Sequence, residues 1–117
     1  MMELDISTLD NGIRLAKLSG KMDIQGVNQV GEELASKIAS AGIATIIDLS
    51  EVSFIASLGM RSLMTTARGV TNHGGKLVLL QPQSLVKEAL SVAGITTLIP
   101  CYDSQDDAIA ALNPANV

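Results

Sequence analysis

Apolar and polar residues alternate at the start of the chain. Leu4-Asp5-Ile6-Ser7-Thr8-Leu9 and Ile13-Arg14-Leu15-Ala16-Lys17-Leu18 both repeat with a period of two, as strands with one exposed face do. Asp10-Asn11-Gly12 between them tolerates positive φ, so the two strands are expected to pair as an antiparallel hairpin. Gly20-Lys21-Met22-Asp23 breaks the alternation and leaves Asp23 placed to cap a helix. Val27, Val30, Leu34, Ile38 and Ala41 then recur at helical spacing up to a stop at Gly42, with Gly26 and Gly31 weakening the first turns.

The densest apolar run lies in the middle. Ile43 to Leu49 suits a strand covered on both faces. A short polar connection follows, and a helix opens at Ser57, whose hydroxyl is placed to cap it. Met60, Leu63, Met64 and Ala67 mark one face of this helix, which ends near Asn72-His73-Gly74-Gly75. Lys76 to Leu80 is the next strand. Pro82 suits a first helical turn, and Leu85, Val86, Ala89, Leu90 and Ala93 form the inward stripe of a helix stopped by Gly94. Ile95 to Ile99 reads as a last short strand ended by Pro100. Ser104, with Asp107 three residues later, starts a final helix that turns Ala108, Ile109 and Leu112 inward, and residues 113–117 read as frayed.

The order β-β-α-β-α-β-α-β-α predicts an α/β fold class. The expected architecture is a single-domain mixed β-sheet over residues 1–117, with an N-terminal antiparallel hairpin, then parallel strands joined by right-handed crossovers, and packed helices. Partners of such sheets meet the loops that leave the strand ends. Asp23 and Ser57 both fall in those loops.

Composition narrows the function classes. A chain of 117 residues buries roughly 65% of its unfolded surface, enough for a core without disulfides. Net charge is -4 with no Lys/Arg cluster, which argues against nucleic acid and anionic membrane as partners. No basic segment followed by an apolar stretch opens the chain, and no apolar run approaches the ~18 residues of a membrane span. A soluble cytoplasmic protein is expected. The single Cys101 fits a reducing compartment and acts as a small apolar residue.

Catalytic readings find little support. His73 is the only histidine and sits in a helix-ending turn, so one His and one Cys give no metal-ligand spacing. Ser57 is flanked by Ala56 and Leu58, with no adjacent base. Gly69 to Lys76 has the wrong spacing for a phosphate loop and Leu77 where a Ser or Thr is required. The charges of Asp103, Asp106 and Asp107 suit a helix start without any ligand. A non-enzymatic protein without cofactor or metal is expected.

Five fragments occur in order along nearly the whole chain: Leu18-Ser19-Gly20-Lys21-Met22-Asp23, Ile47-Asp48-Leu49-Ser50-Glu51-Val52-Ser53-Phe54-Ile55, Ala56-Ser57-Leu58-Gly59-Met60, Gly74-Gly75-Lys76-Leu77-Val78-Leu79 and Leu90-Ser91-Val92-Ala93-Gly94-Ile95. Through them the chain resembles the STAS domain, most closely the bacterial anti-sigma factor antagonists. The resemblance implies that Ser57 is phosphorylated by an anti-sigma factor serine kinase with a histidine-kinase-like ATPase fold. The unphosphorylated antagonist binds that kinase and frees the sigma factor, and a metal-dependent serine phosphatase restores the binding form. It also implies that Asp23 and the first turn of the helix lie on the partner surface. The family often carries an acidic residue before the serine and a small one after it, where this chain has Ala56 and Leu58.

Local chemistry supplies a reason for such a switch. A phosphoserine adds about -1.5 to -2 charges, which free N–H groups and the positive end of a helix dipole accept at ~0.3–1 kcal/mol. With Ser57 as the cap, the N–H groups of Gly59 and Met60 are the expected donors. A docking surface containing Met22, Asp23, Leu58, Gly59, Met60 and Arg61 would instead have to desolvate the phosphate. Two other readings use the same residues. One is a non-phosphorylated STAS scaffold subunit of a signalling or lipid-transport assembly. The other is a small-ligand or nucleotide-binding domain, suggested by helix N-termini at the strand ends.

Overall fold

The computed structural model of the chain describes residues 2–112. The expected frayed segment, residues 113–117, lies outside them. Five strands form one sheet in the order β1-β2-β3-β4-β5: β1 (Glu3–Thr8), β2 (Arg14–Met22), β3 (Thr45–Ile55), β4 (Leu77–Leu80) and β5 (Cys101–Tyr102). β1 and β2 pair antiparallel across the Asp10-Asn11-Gly12 turn, where Asn11 Oδ1 accepts the Ile13 N–H at 3.1 Å. All later pairs are parallel. This is the mixed single-sheet α/β architecture the residue pattern predicts.

Helices cover the two faces unequally. On the larger face, α1 (Ile24–Glu33), its π-helical continuation Leu34–Ala39, α2 (Ser57–Asn72) and α3 (Ser84–Val92) bury Val30, Leu34, Ile38, Leu63, Val70, Val86 and Leu90 against Ile47, Leu49 and Leu79 of the sheet. On the other face α5 (Gln105–Leu112) sets Ala108 and Leu112 against Ile46, Val78 and Leu80. β4 is therefore buried along its whole length, which explains its unbroken apolar sequence.

Several local expectations need correction. The strand expected to end at Leu18 continues to Met22, and the one expected to end at Leu49 continues to Ile55. Their extensions are irregular: register shifts lie between Lys17 and Ser19 and between Gly20 and Lys21. The second leaves Ser53 unpaired, since Gly20 faces Val52 and Lys21 faces Phe54. Each bulge spends one extra residue of β3, so Leu49, Val52 and Ile55 face the core at intervals of three. A period of three does not look like a strand. That spacing made Ser50 to Phe54 read as a polar connection.

Ile95–Leu98 is a single helical turn, α4, rather than a strand, and the last strand comes after Pro100. Pro100 has no N–H, but its carbonyl accepts from Leu79 N at 2.9 Å and so opens the pairing of β5. α3 begins at Ser84 with Gln83 as N-cap, two residues after Pro82, and Leu85 and Ala93 are exposed rather than inward. Ala41 is also exposed, because the π-helical turn before it rotates the end of the stripe outward. Gly42 takes the expected left-handed conformation at φ +65°.

Candidate functional site

The C-terminal ends of β2 and β3 lie side by side and each feeds a helix. Met22 pairs with Ile55, and the Met22 carbonyl accepts the Ala56 N–H at 3.0 Å. The starts of α1 and α2 are thus held together at one end of the sheet, as the sequence pattern places Asp23 and Ser57.

The α1 start is closed. Asp23 is its N-cap in extended conformation, and its Oδ1 accepts the Gly26 N–H at 2.8 Å. The Asp23 carbonyl accepts the Val27 N–H at 2.9 Å, completing the first turn. Gly26 does not weaken this turn; the turn requires it. A Cβ there would collide with the Lys21 carbonyl oxygen.

The α2 start is open. Its N-cap is Ala56, extended at φ -95° and ψ 171°, with no side-chain acceptor. Ser57 is the first helical residue and not the cap: β3 runs to Ile55, Ala56 alone separates it from α2, and the helix starts one residue earlier than a Ser57 cap would place it. Its side chain is exposed. The Met60 N–H is already donated to the Ala56 carbonyl at 3.0 Å, so the expected role of Met60 as an anion donor is wrong. The N–H groups of Ser57, Leu58 and Gly59 precede the first intrahelical bond and have no acceptor inside the helix.

Of the residues expected at a partner surface, Asp23 is half-buried, Leu58 is 37% exposed and Arg61 is exposed. Met22 is 0% exposed; its side chain belongs to the core and its backbone holds the site together. Gly59 is buried, and a Cβ on it would meet the Met22 carbonyl oxygen at 2.5 Å and the Ile55 side chain at 3.0 Å. Met60 is half-buried against the core. The surface is therefore made by fewer side chains than its sequence neighbourhood suggests. Two exposed apolar residues near the same strand ends were missed by sequence reasoning: Ile24, 63% exposed in the first turn of α1, and Phe54, 49% exposed beside the second bulge, where it lines a groove with Leu85 and Ala89 of α3. An isoleucine directly after an N-cap, outside the inward stripe, was the available signal for Ile24. Phe54 depends on the bulge and left no periodic trace.

Other chemistry-bearing groups fall elsewhere. His73 is exposed at the end of α2, with Nδ1 2.8 Å from the Gly69 carbonyl oxygen. Burial pushes the half-buried Cys101 thiol above its usual range; Lys87 opposes this shift and Asp103 adds to it. Little thiolate is present at neutral pH. Ser104 Oγ accepts the Asp107 N–H at 3.1 Å, so the acidic group at the α5 start serves that helix. Among the described residues no group of three or more His, Cys, Asp or Glu is placed to hold a metal ion. Among them, too, no helix is long and apolar enough to cross a membrane.

Comparison with known proteins places this architecture. The family model for the STAS domain matches residues 7–108. BtrV of Bordetella bronchiseptica, a proposed anti-sigma factor antagonist, is 27% identical over 114 residues, spanning 97% of each chain. An anti-sigma factor antagonist from Mycobacterium paratuberculosis has a similar solved structure, with a TM-score of 0.85 at 21% identity over 96% of this chain and 94% of that one. Bacillus SpoIIAA in its phosphorylated form superposes with a TM-score of 0.69 at 17% identity, covering 95% of this chain and 100% of that one. The chain belongs to the STAS domain family.

Proposed function

We propose that this STAS domain is an anti-sigma factor antagonist whose docking surface is switched off by phosphorylation of Ser57. The unmodified form binds an anti-sigma factor serine kinase and so frees a sigma factor. The kinase transfers the γ-phosphoryl group of ATP to Ser57 Oγ, the P–O bond to ADP breaks, and the hydroxyl proton is released. A metal-dependent serine phosphatase hydrolyses the ester to inorganic phosphate and restores the hydroxyl. The likeness to BtrV over nearly all of both chains and the existence of a phosphorylated SpoIIAA support this reading.

The observation that carries it is the exposed Ser57 hydroxyl at an uncapped helix start. A phosphate on Ser57 gains the N–H groups of Leu58 and Gly59 and the helix dipole, so the fold keeps its stability. The surroundings are unsuited to a docked phosphate. Leu58, next to the serine, and Ile24, in the first turn of the neighbouring helix, are apolar and exposed, and Asp23 adds like charge. Burying the phosphate against such a partner loses ~3 kcal/mol, more than a hundredfold in affinity. Incubation with the partner kinase and Mg-ATP, followed by peptide mapping, tests the reading: Ser57 carries the phosphate, and Ser57→Ala stays unmodified while still binding. Phosphate on another serine, with Ser57 untouched, would sink it.

A further inference from the structure

The other half of α2 borders a cavity that the partner switch does not use. About 590 Å³ opens between α2, the start of β4 and the α4 turn. Met64, Leu77, Leu98 and Ile99 form its apolar lining, and Arg68 and Lys76 stand on its rim. Leu98 is 64% exposed and adds an accessible apolar wall to the cavity.

Charge sets this region apart. The chain as a whole carries -4, yet between Val52 and Tyr102 there are four cations, Arg61, Arg68, Lys76 and Lys87, and one acid, Glu88. Lys87 is paired with Asp103; among the described residues neither Arg68 nor Lys76 has an ion pair. The cavity thus joins an apolar floor to two uncompensated cations in an otherwise acidic protein. Its volume falls within the ~300–1,000 Å³ typical of small-molecule sites. Phe54, His73 and Tyr102 all lie outside its lining, so no aromatic side chain there offers a face to a nucleobase.

From these features we propose that the cavity binds an anionic amphiphile: one carboxylate or phosphate head held by Arg68 and Lys76, and an aliphatic tail laid against Met64, Leu77 and Leu98. The site is separate from Ser57 and stands whether or not the phosphorylation reading does.

Titration of the full chain with octanoate and with octyl phosphate, below micelle formation and followed by amide shifts in NMR, tests it and separates the two head groups. Saturable shifts are expected at Lys76, Leu77 and Ile99, weakening as salt is raised. Arg68→Gln/Lys76→Gln, two exposed changes that leave the fold intact by circular dichroism, should weaken binding at least tenfold. 1-Octanol should bind at least tenfold more weakly than the anions. No saturable shift with either anion, equal binding of octanol, or full affinity in the double variant overturns the site. Tighter occupation by an acidic, leucine-bearing peptide than by either amphiphile would overturn it in favour of a protein groove.

Discussion

Two helices start side by side at the same end of the sheet, and they are finished differently. α1 is closed by the Asp23 carboxylate on the Gly26 N–H, while α2 begins after Ala56 with nothing on its first N–H groups. Both starts lean on the same strand end, through the Lys21 carbonyl near Gly26 and the Met22 carbonyl near Gly59. A capped start is complete in itself. An uncapped one keeps donors and dipole available for a charge added later, and here the exposed hydroxyl of Ser57 stands at that point.

The sharpest test of the contrast is to add the charge permanently. Ser57→Asp should weaken kinase binding by more than a hundredfold in calorimetry while leaving the melting temperature within about a degree or raising it, since a carboxylate suits the first turn. Next in size is the packing beneath the open start. Gly59→Ala drives a Cβ into the Met22 backbone and should destabilise the fold by about 1–3 kcal/mol in urea unfolding. A variant as stable as the parent would show that the two strand-end loops are not pressed together.

Smaller effects separate the two starts directly. Asp23→Ala removes a working cap and should cost about 1 kcal/mol. Ala56→Ser installs the missing cap and should gain ~0.5–1 kcal/mol. Ser57→Ala, which removes no cap bond, should change stability by less than ~0.5 kcal/mol. A loss near 1 kcal/mol for Ser57→Ala would show the hydroxyl acting as a cap after all.

Which parts of this were legible beforehand follows from where periodicity survives. The hairpin, the inward stripes of α1 and α2 and the Asp23 cap follow local rules, and the residues state them plainly. The upper half of β3 does not, because two bulges turn a period of two into a period of three, hiding both the strand and the outward turn of Phe54. The helix after it starts one residue earlier than expected, so Ala56 takes the cap position and Ser57 the first helical one. Met22 and Gly59 were adjacent to the site in sequence but belong to its foundation, a distinction that burial makes and spacing does not. Cys101 and Tyr102 pair with β4 through the Pro100 and Tyr102 carbonyls, which accept from Leu79 and Gln81, a long-range fact without a local signature.

One binding measurement goes straight to the switch: titrate the anti-sigma factor kinase with this chain, unmodified and stoichiometrically phosphorylated on Ser57, and record both affinities and both melting curves. The account predicts a loss of more than a hundredfold in affinity with an unchanged or higher melting temperature. Equal affinities, or a phosphorylated form that melts well below the unmodified one, would contradict it.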